Sequence, residues 1–117
     1  VGADFSASQL DRARFDEADL TTARFVDAQG EGTAFARATL VDANLAGVSL
    51  PNALIDDARA ERSVWDRGVL EGASFERAEL AAAGFSRTKL DRARFTSAKL
   101  ARSSFMGAVG ESVDITE

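Results

Sequence analysis

The side chains of this sequence that could do chemistry are carboxylates, guanidiniums, amines and hydroxyls. Two adjacent acid pairs, Asp16–Glu17 and Asp56–Asp57, are the residue types that acid–base catalysis or a divalent cation would use. Serine is plentiful, but a serine nucleophile needs a base beside it, and histidine and cysteine are both absent. The commonest general base and the usual zinc ligands are therefore missing. The sequence has no GxxxxGK[ST] loop, no dinucleotide fingerprint and no calcium-binding nonapeptide. The expectation is a chain that is not an enzyme and takes no cofactor and no metal, with its acid pairs as solvated surface.

Charge restricts the partners. The formal net charge is -5, which argues against direct nucleic-acid binding, since that needs a basic face. The charge is unevenly spread: residues 1–60 hold ten acids and five bases, residues 61–117 nine of each. Within 86–105, Arg87, Lys89, Arg92, Arg94, Lys99 and Arg102 stand against Asp91 alone, a basic cluster able to orient a partner. No run of eighteen apolar residues is present, so no membrane span is expected. Without a basic-then-apolar leader in this stretch, a cytoplasmic location is favoured.

The positioning elements follow from a period of five. From Phe5 onward every fifth residue is large and apolar with few exceptions, through 23 units without insertion or deletion. All eight Phe and the single Trp fall on this register: Phe5, Phe15, Phe25, Phe35, Trp65, Phe75, Phe85, Phe95 and Phe105 form the expected core. Two residues earlier the chain is small, and only Val48 and Val113 exceed Thr in size there. Period five drifts around a helix and leaves no apolar stripe. Positions two apart on a strand point to the same side, so small and large both face inward. The other two residues of each unit must turn a corner.

The large positions alternate Phe and Leu at both ends, so stacking like on like needs an even number of units per coil. Two units cannot enclose a core; four give a coil of 20 residues. Between five and six coils then stack, into a rod roughly 27 Å long at ~4.8 Å per coil. The units "ADLTT" (18–22), "ANLAG" (43–47), "ADFSA" (3–7) and "AELAA" (78–82) resemble the A-(D/N)-L-x-x pattern of pentapeptide repeat proteins. The resemblance covers the whole chain. It implies an all-β fold: a right-handed quadrilateral parallel β-helix, or solenoid, over residues 1–117. Handedness comes from the family alone.

Several departures from regularity are candidates for function. The first corner residue after the Leu/Gly column reads Asp11, Glu31, Pro51, Glu71, Asp91, Glu111, an acidic edge interrupted once. In "LIDDARAERSVWDRGVL" (54–70), Ala60 stands where Leu belongs and Trp65 where Phe or Leu belongs. Two readings are open: Trp65 fills volume that Ala60 leaves, or Leu54, Val64 and Val69 form an outward apolar patch on adjoining faces. Pro51 sits at a corner, where a missing N–H costs least. Gly30 and Gly110 leave holes in the Leu column, places for a local bulge. No capping segment is read at either end, so a fragment of a longer chain, or end-to-end self-association, is expected.

Three functions remain. The first is a non-catalytic protein-interaction scaffold within a larger bacterial protein, as the resemblance implies for secretion-system adaptors and effectors. The second, also implied by the resemblance, is a DNA-mimicking protein that binds DNA gyrase and protects it from fluoroquinolones. The third is a rigid spacer. Finally, "LDRARF" occurs at 10–15 and again at 90–95, eighty residues or four coils apart. Both copies should occupy the same two faces, with their Asp and Arg residues displayed twice on one edge.

Overall fold

A computed structural model describes residues 2–116. Along the described chain the middle residue of every strand bridges, in parallel, the residue twenty positions later, from Asp4↔Arg24 to Arg94↔Asp114. Twenty residues therefore make one turn, and four five-residue units make its four sides. We number the faces by their strands in the first coil: face 1 (3–5), face 2 (8–10), face 3 (13–15) and face 4 (18–20). The corner after each face carries the same number. The rod measures 31 × 21 × 21 Å, close to the length expected from coil stacking.

Backbone hydrogen bonding explains why five residues suffice. In the unit around Phe25, the Phe25 N–H donates to the Asn44 carbonyl above (2.8 Å), and Asn44 N–H donates back to Ala23 (2.9 Å). Asp27 N–H donates to the Ala46 carbonyl (3.0 Å), and Ala28 N–H closes the corner on Phe25 (3.0 Å). The second corner residue has positive φ, 53° at Arg12 and 64° at Glu17, as a type II turn requires. Non-glycine residues hold this left-handed conformation at most corners, a local cost that the ladder bonds offset.

The fifth N–H of each unit, on the first corner residue, has no backbone acceptor. A buried orphan donor is costly, and at several corners a side chain satisfies it in one of two ways. A carboxylate or amide at the middle of the preceding strand accepts it, as Asn44 does from Ala46 (3.0 Å) and Asp19 from Thr21 (3.1 Å). Alternatively an Asp one coil below accepts it, as Asp16 does from Ala36 (3.2 Å), Asp56 from Glu76 (3.0 Å) and Asp66 from Ser86 (3.0 Å). Pro51 occupies this first position and has no N–H to place.

The core is two aromatic columns set edge to face. Phe15–Phe35 and Phe75–Phe95 stack on face 3, with centroids 5.2 and 4.8 Å apart. Phe5–Phe25, Trp65–Phe85 and Phe85–Phe105 stack on face 1. Across the rod the rings meet at near right angles, 85° for Phe25–Phe35 and 86° for Phe75–Phe85. Leu45 and Ile55 interrupt both columns in the same coil and are fully buried. Phe25, Phe35, Trp65, Phe75, Phe85 and Phe95 are buried, whereas Phe5, Phe15 and Phe105, toward the ends of the stack, are only partly so.

Trp65 is wholly buried, and its indole N–H donates to Ser63 Oγ (2.7 Å). That hydroxyl in turn donates to the Ala60 carbonyl (2.7 Å), so Trp65 is tied to the unit in which alanine stands in place of leucine. Val48 is accommodated by glycine in the next coil: a Cβ on Gly68 would lie 3.4 Å from Val48 Cγ2 and 2.8 Å from the Trp65 carbonyl oxygen.

The bulge expected at Gly30 is absent. Gln29 bridges both Gln9 and Ser49, so the ladder passes through with no extra residue. The corner changes instead: at 30–33 and 110–113 the closing bond to the carbonyl of the large position is not made. Gly30 does not mark an unused side-chain position either. A Cβ there would sit 2.6 Å from the Leu10 carbonyl carbon and 2.8 Å from Thr33 Oγ1. The buried Thr33 hydroxyl donates to the Leu10 carbonyl (2.8 Å), a bond across coils that occupies this space.

Candidate functional site

With the backbone and the inward residues committed to the rod, recognition chemistry must come from the strand-middle and corner positions. The acidic edge lies along corner 2, as its spacing requires. Two of its members already have work: Asp11 Oδ1 accepts the Glu31 N–H (2.9 Å) and Asp91 Oδ1 accepts the Glu111 N–H (2.8 Å). Glu31 accepts from the Asn52 amide (3.2 Å). The Asp of each "LDRARF" thus caps the glycine-led corner of the coil above.

Ion pairs run along the rod at coil spacing. Arg37 meets Glu17 (3.3 Å). Arg62 forms a two-pronged pair with Asp42 (2.8 and 3.1 Å) and Arg77 one with Asp57 (2.8 and 3.0 Å). In each case the acid precedes its arginine by twenty residues, at the second corner position. These hydrogen bonds hold the Asp42 and Asp57 carboxyls below the ordinary 3.8 and raise their arginine partners. The Thr21 hydroxyl and N–H lower Asp19 likewise, and Thr116 lowers Asp114. On corner 3, Glu17, Arg37, Asp57 and Arg77 form a column of alternating charge.

The basic cluster does not form one patch. Arg94 projects from face 3, paired with Glu76, and Lys99 lies on face 4 with Arg102 at the corner that follows. Arg87, Lys89 and Arg92 stay together around face 2. A residue outside the sequence segment joins them: Arg67 stands at corner 1 one coil below Arg87. The residue twenty positions before an arginine is the signal that would have found it. That residue is acidic below Arg37, Arg62 and Arg77, but Gly47 lies below Arg67, Arg67 below Arg87 and Gly72 below Arg92.

Leu54, Val64 and Val69 fall on faces 3, 1 and 2 respectively, so the apolar positions wrap around three sides. Leu54 is 45% exposed, while Val64 and Val69 are half-buried. Leu54 forms one lip of a shallow recess of 320 Å³, floored by Gly32, Ala34 and Ala36 and walled by Arg12 and Arg14. Met106 and Val109, 78% and 61% exposed, project outward near Arg87 and Lys89. The acid pairs Asp16–Glu17 and Asp56–Asp57 are taken up by backbone caps and arginines. Among the described residues no group of three or more His, Cys, Asp or Glu could hold a metal ion.

Comparison with known proteins bears on this geometry. The family described as pentapeptide repeats matches in eight copies, over residues 1–29 and 67–96. The chain belongs to the pentapeptide repeat family. Solved structures share its fold. Rfr23 of the cyanobacterium Cyanothece 51142 superposes with a TM-score of 0.76 at 18% identity, covering 78% of this chain and 63% of that one. HetL of Nostoc sp. strain PCC 7120, a protein involved in heterocyst differentiation regulation, gives 0.76 at 23% identity, with coverages of 92% and 60%. A trypsin-treated form of QnrB1, a plasmid-mediated fluoroquinolone resistance protein, gives 0.59 at 20% identity, with coverages of 96% and 67%. The pentapeptide repeat chain thus spans 63% and 60% of the first two structures. No curated protein sequence matches it. Its fold is the right-handed quadrilateral β-helix of these neighbours, and no helix of the structure is long and apolar enough to cross a membrane.

Proposed function

We propose that this pentapeptide repeat rod is a non-catalytic protein-interaction scaffold, carried by a larger bacterial protein such as a secretion-system adaptor or effector. The observation that carries the reading is its lateral surface. Leu54, Met106 and Val109 project at positions where the ladder needs no apolar group. Apolar side chains exposed together, rather than singly, mark contact sites, and Met106 and Val109 project from one corner and the face that follows it. Cations without ion-pair partners lie on the same surface. Affinity capture with the full chain, from lysate of the source organism, should recover a discrete protein at stoichiometric yield. Recovery of none would count against the reading.

The gyrase reading keeps one favourable observation, the acid column of corner 2. It is supported less, because Asp11 and Asp91 each give an oxygen to a backbone N–H, and Arg12 and Arg92 stand beside them. A supercoiling assay separates the two: inhibition of gyrase, or protection from a fluoroquinolone, at micromolar protein would favour the DNA mimic.

A further inference from the structure

We infer that face 2 of the C-terminal half, with its flanking corner 1, is a docking strip for an acidic, aliphatic-containing segment of a partner protein. The inference rests on the interaction-scaffold reading and names its surface and partner chemistry. Arg67, Arg87 and Lys89 on this strip, and Arg92 at its corner-2 border, are exposed and make no ion pair with any described residue. Their placement departs from the acid-below-arginine pattern seen at Arg37, Arg62 and Arg77. Where Arg37, Arg62 and Arg77 sit one coil above an acid and pair with it, Arg87 sits one coil above Arg67. Arg67 and Arg87 spring from backbone positions one coil, ~4.8 Å, apart, so their like charges repel, and an incoming carboxylate relieves that repulsion.

Space and apolar surface lie alongside. Above Arg87 the corner residue is Gly107, whose added Cβ would fall 3.1 Å from Arg87 Cγ, so the arginine passes beneath an uncovered backbone. Ser86, Arg87, Met106 and Gly107 line a shallow recess of 250 Å³. Val69 and Val109 bracket Lys89 along the face-2 ladder. Cations and aliphatic groups alternating on a flat face complement a peptide with carboxylate and aliphatic side chains. A nucleic acid fits less well. Glu71, Asp91 and Glu111 line the opposite border of the face and repel a continuous polyanion.

The test uses the full chain and a random heptapeptide display library. Enriched peptides should combine Asp or Glu with Leu, Ile, Val or Met, and bind severalfold more weakly when salt is raised from 50 to 300 mM. Arg67→Glu is the decisive variant. Glu17 already holds the same corner position with φ 64°, so the backbone accepts glutamate there. The variant places an acid one coil below Arg87 and recreates the Glu17–Arg37 arrangement. It should therefore raise the melting temperature by about 1–3 °C while weakening the selected peptides at least tenfold. Arg87→Glu should weaken them similarly, and Arg59→Glu on face 4 should leave them unchanged. Enrichment without acidic residues, equal binding by Arg67→Glu and the parent, or tighter binding of a single-stranded oligonucleotide at these residues would overturn the inference. A captured host protein whose binding ignores Arg67→Glu and Arg87→Glu would sink the strip and leave the scaffold reading standing. Capture of nothing together with no enrichment would remove both.

Discussion

Replacing Gly30 with alanine should destabilise the rod, although the repeat pattern asks for a larger residue there. If position 30 were an unfilled place in the Leu column, alanine would add about 0.8 kcal/mol of methyl burial. It would add a further 0.4–1 kcal/mol by restricting the unfolded chain. The structure assigns the opposite sign. The new Cβ would lie 2.6 Å from the Leu10 carbonyl carbon, 2.7 Å from its oxygen and 2.8 Å from Thr33 Oγ1. Two of these atoms are backbone of the coil below, so relief requires separating coils or breaking the Thr33–Leu10 hydrogen bond. Overpacking of this kind costs about 1–3 kcal/mol. With an unfolding entropy of about 2.1 cal/mol/K per residue over this chain, the melting temperature should fall by about 4–12 °C. Thermal and urea unfolding followed by circular dichroism at 218 nm measure it, with an unchanged urea m-value as the control. A rise in melting temperature for Gly30→Ala would refute the packing described for this corner.

Other outcomes follow from the same geometry. Phe75→Ala removes a fully buried ring in contact with Trp65, Phe85 and Phe95, and should cost about 3–5 kcal/mol in urea unfolding, against about half that for the partly buried Phe5. Ala78→Leu should cost about 1–3 kcal/mol by overpacking a wholly buried small position. Asp56→Ala orphans the Glu76 N–H and should lower stability by about 1 kcal/mol, with faster amide exchange at Glu76 as its specific sign. Acid should weaken the rod. Asp19, Asp42, Asp57 and Asp114 titrate below 3.8 when folded, so their contribution is complete above that value and is lost as pH falls through the lowered folded values. Melting temperatures at pH 5 and pH 2.5 should differ, and by less in the double variant Asp42→Asn, Asp57→Asn.

What the sequence discloses here is the part set by repetition. A strict five-residue period with alternating Phe and Leu requires an even number of units per coil, and four is the smallest that encloses a core, so the four-sided coil and its columns are legible in the sequence. The corners are less so. That an Asp at position 11 or 91 caps an N–H twenty residues later becomes visible only once the first corner N–H is known to lack a backbone acceptor. The glycines at 30 and 110 read as missing side chains because periodicity reports which residues face inward, not which neighbouring atoms already fill the space beside them. The basic segment misleads for a related reason. Neighbours in sequence turn a corner every five residues, so Arg94, Lys99 and Arg102 leave the face that Arg87 and Lys89 occupy. Arg67, twenty residues earlier, is a closer companion to Arg87. Charge on a solenoid has to be read at the coil period.

The central claim is that the side of this rod is a protein-binding surface, and photo-crosslinking tests it most directly. A benzophenone amino acid placed singly at Arg24, Lys89, Leu54 and Arg59 samples faces 1, 2, 3 and 4 in turn at exposed strand positions. In cells of the source organism the account predicts a discrete protein adduct from Lys89, and none from Arg59 on face 4. Irradiation that yields no protein adduct from any of the four faces would contradict it.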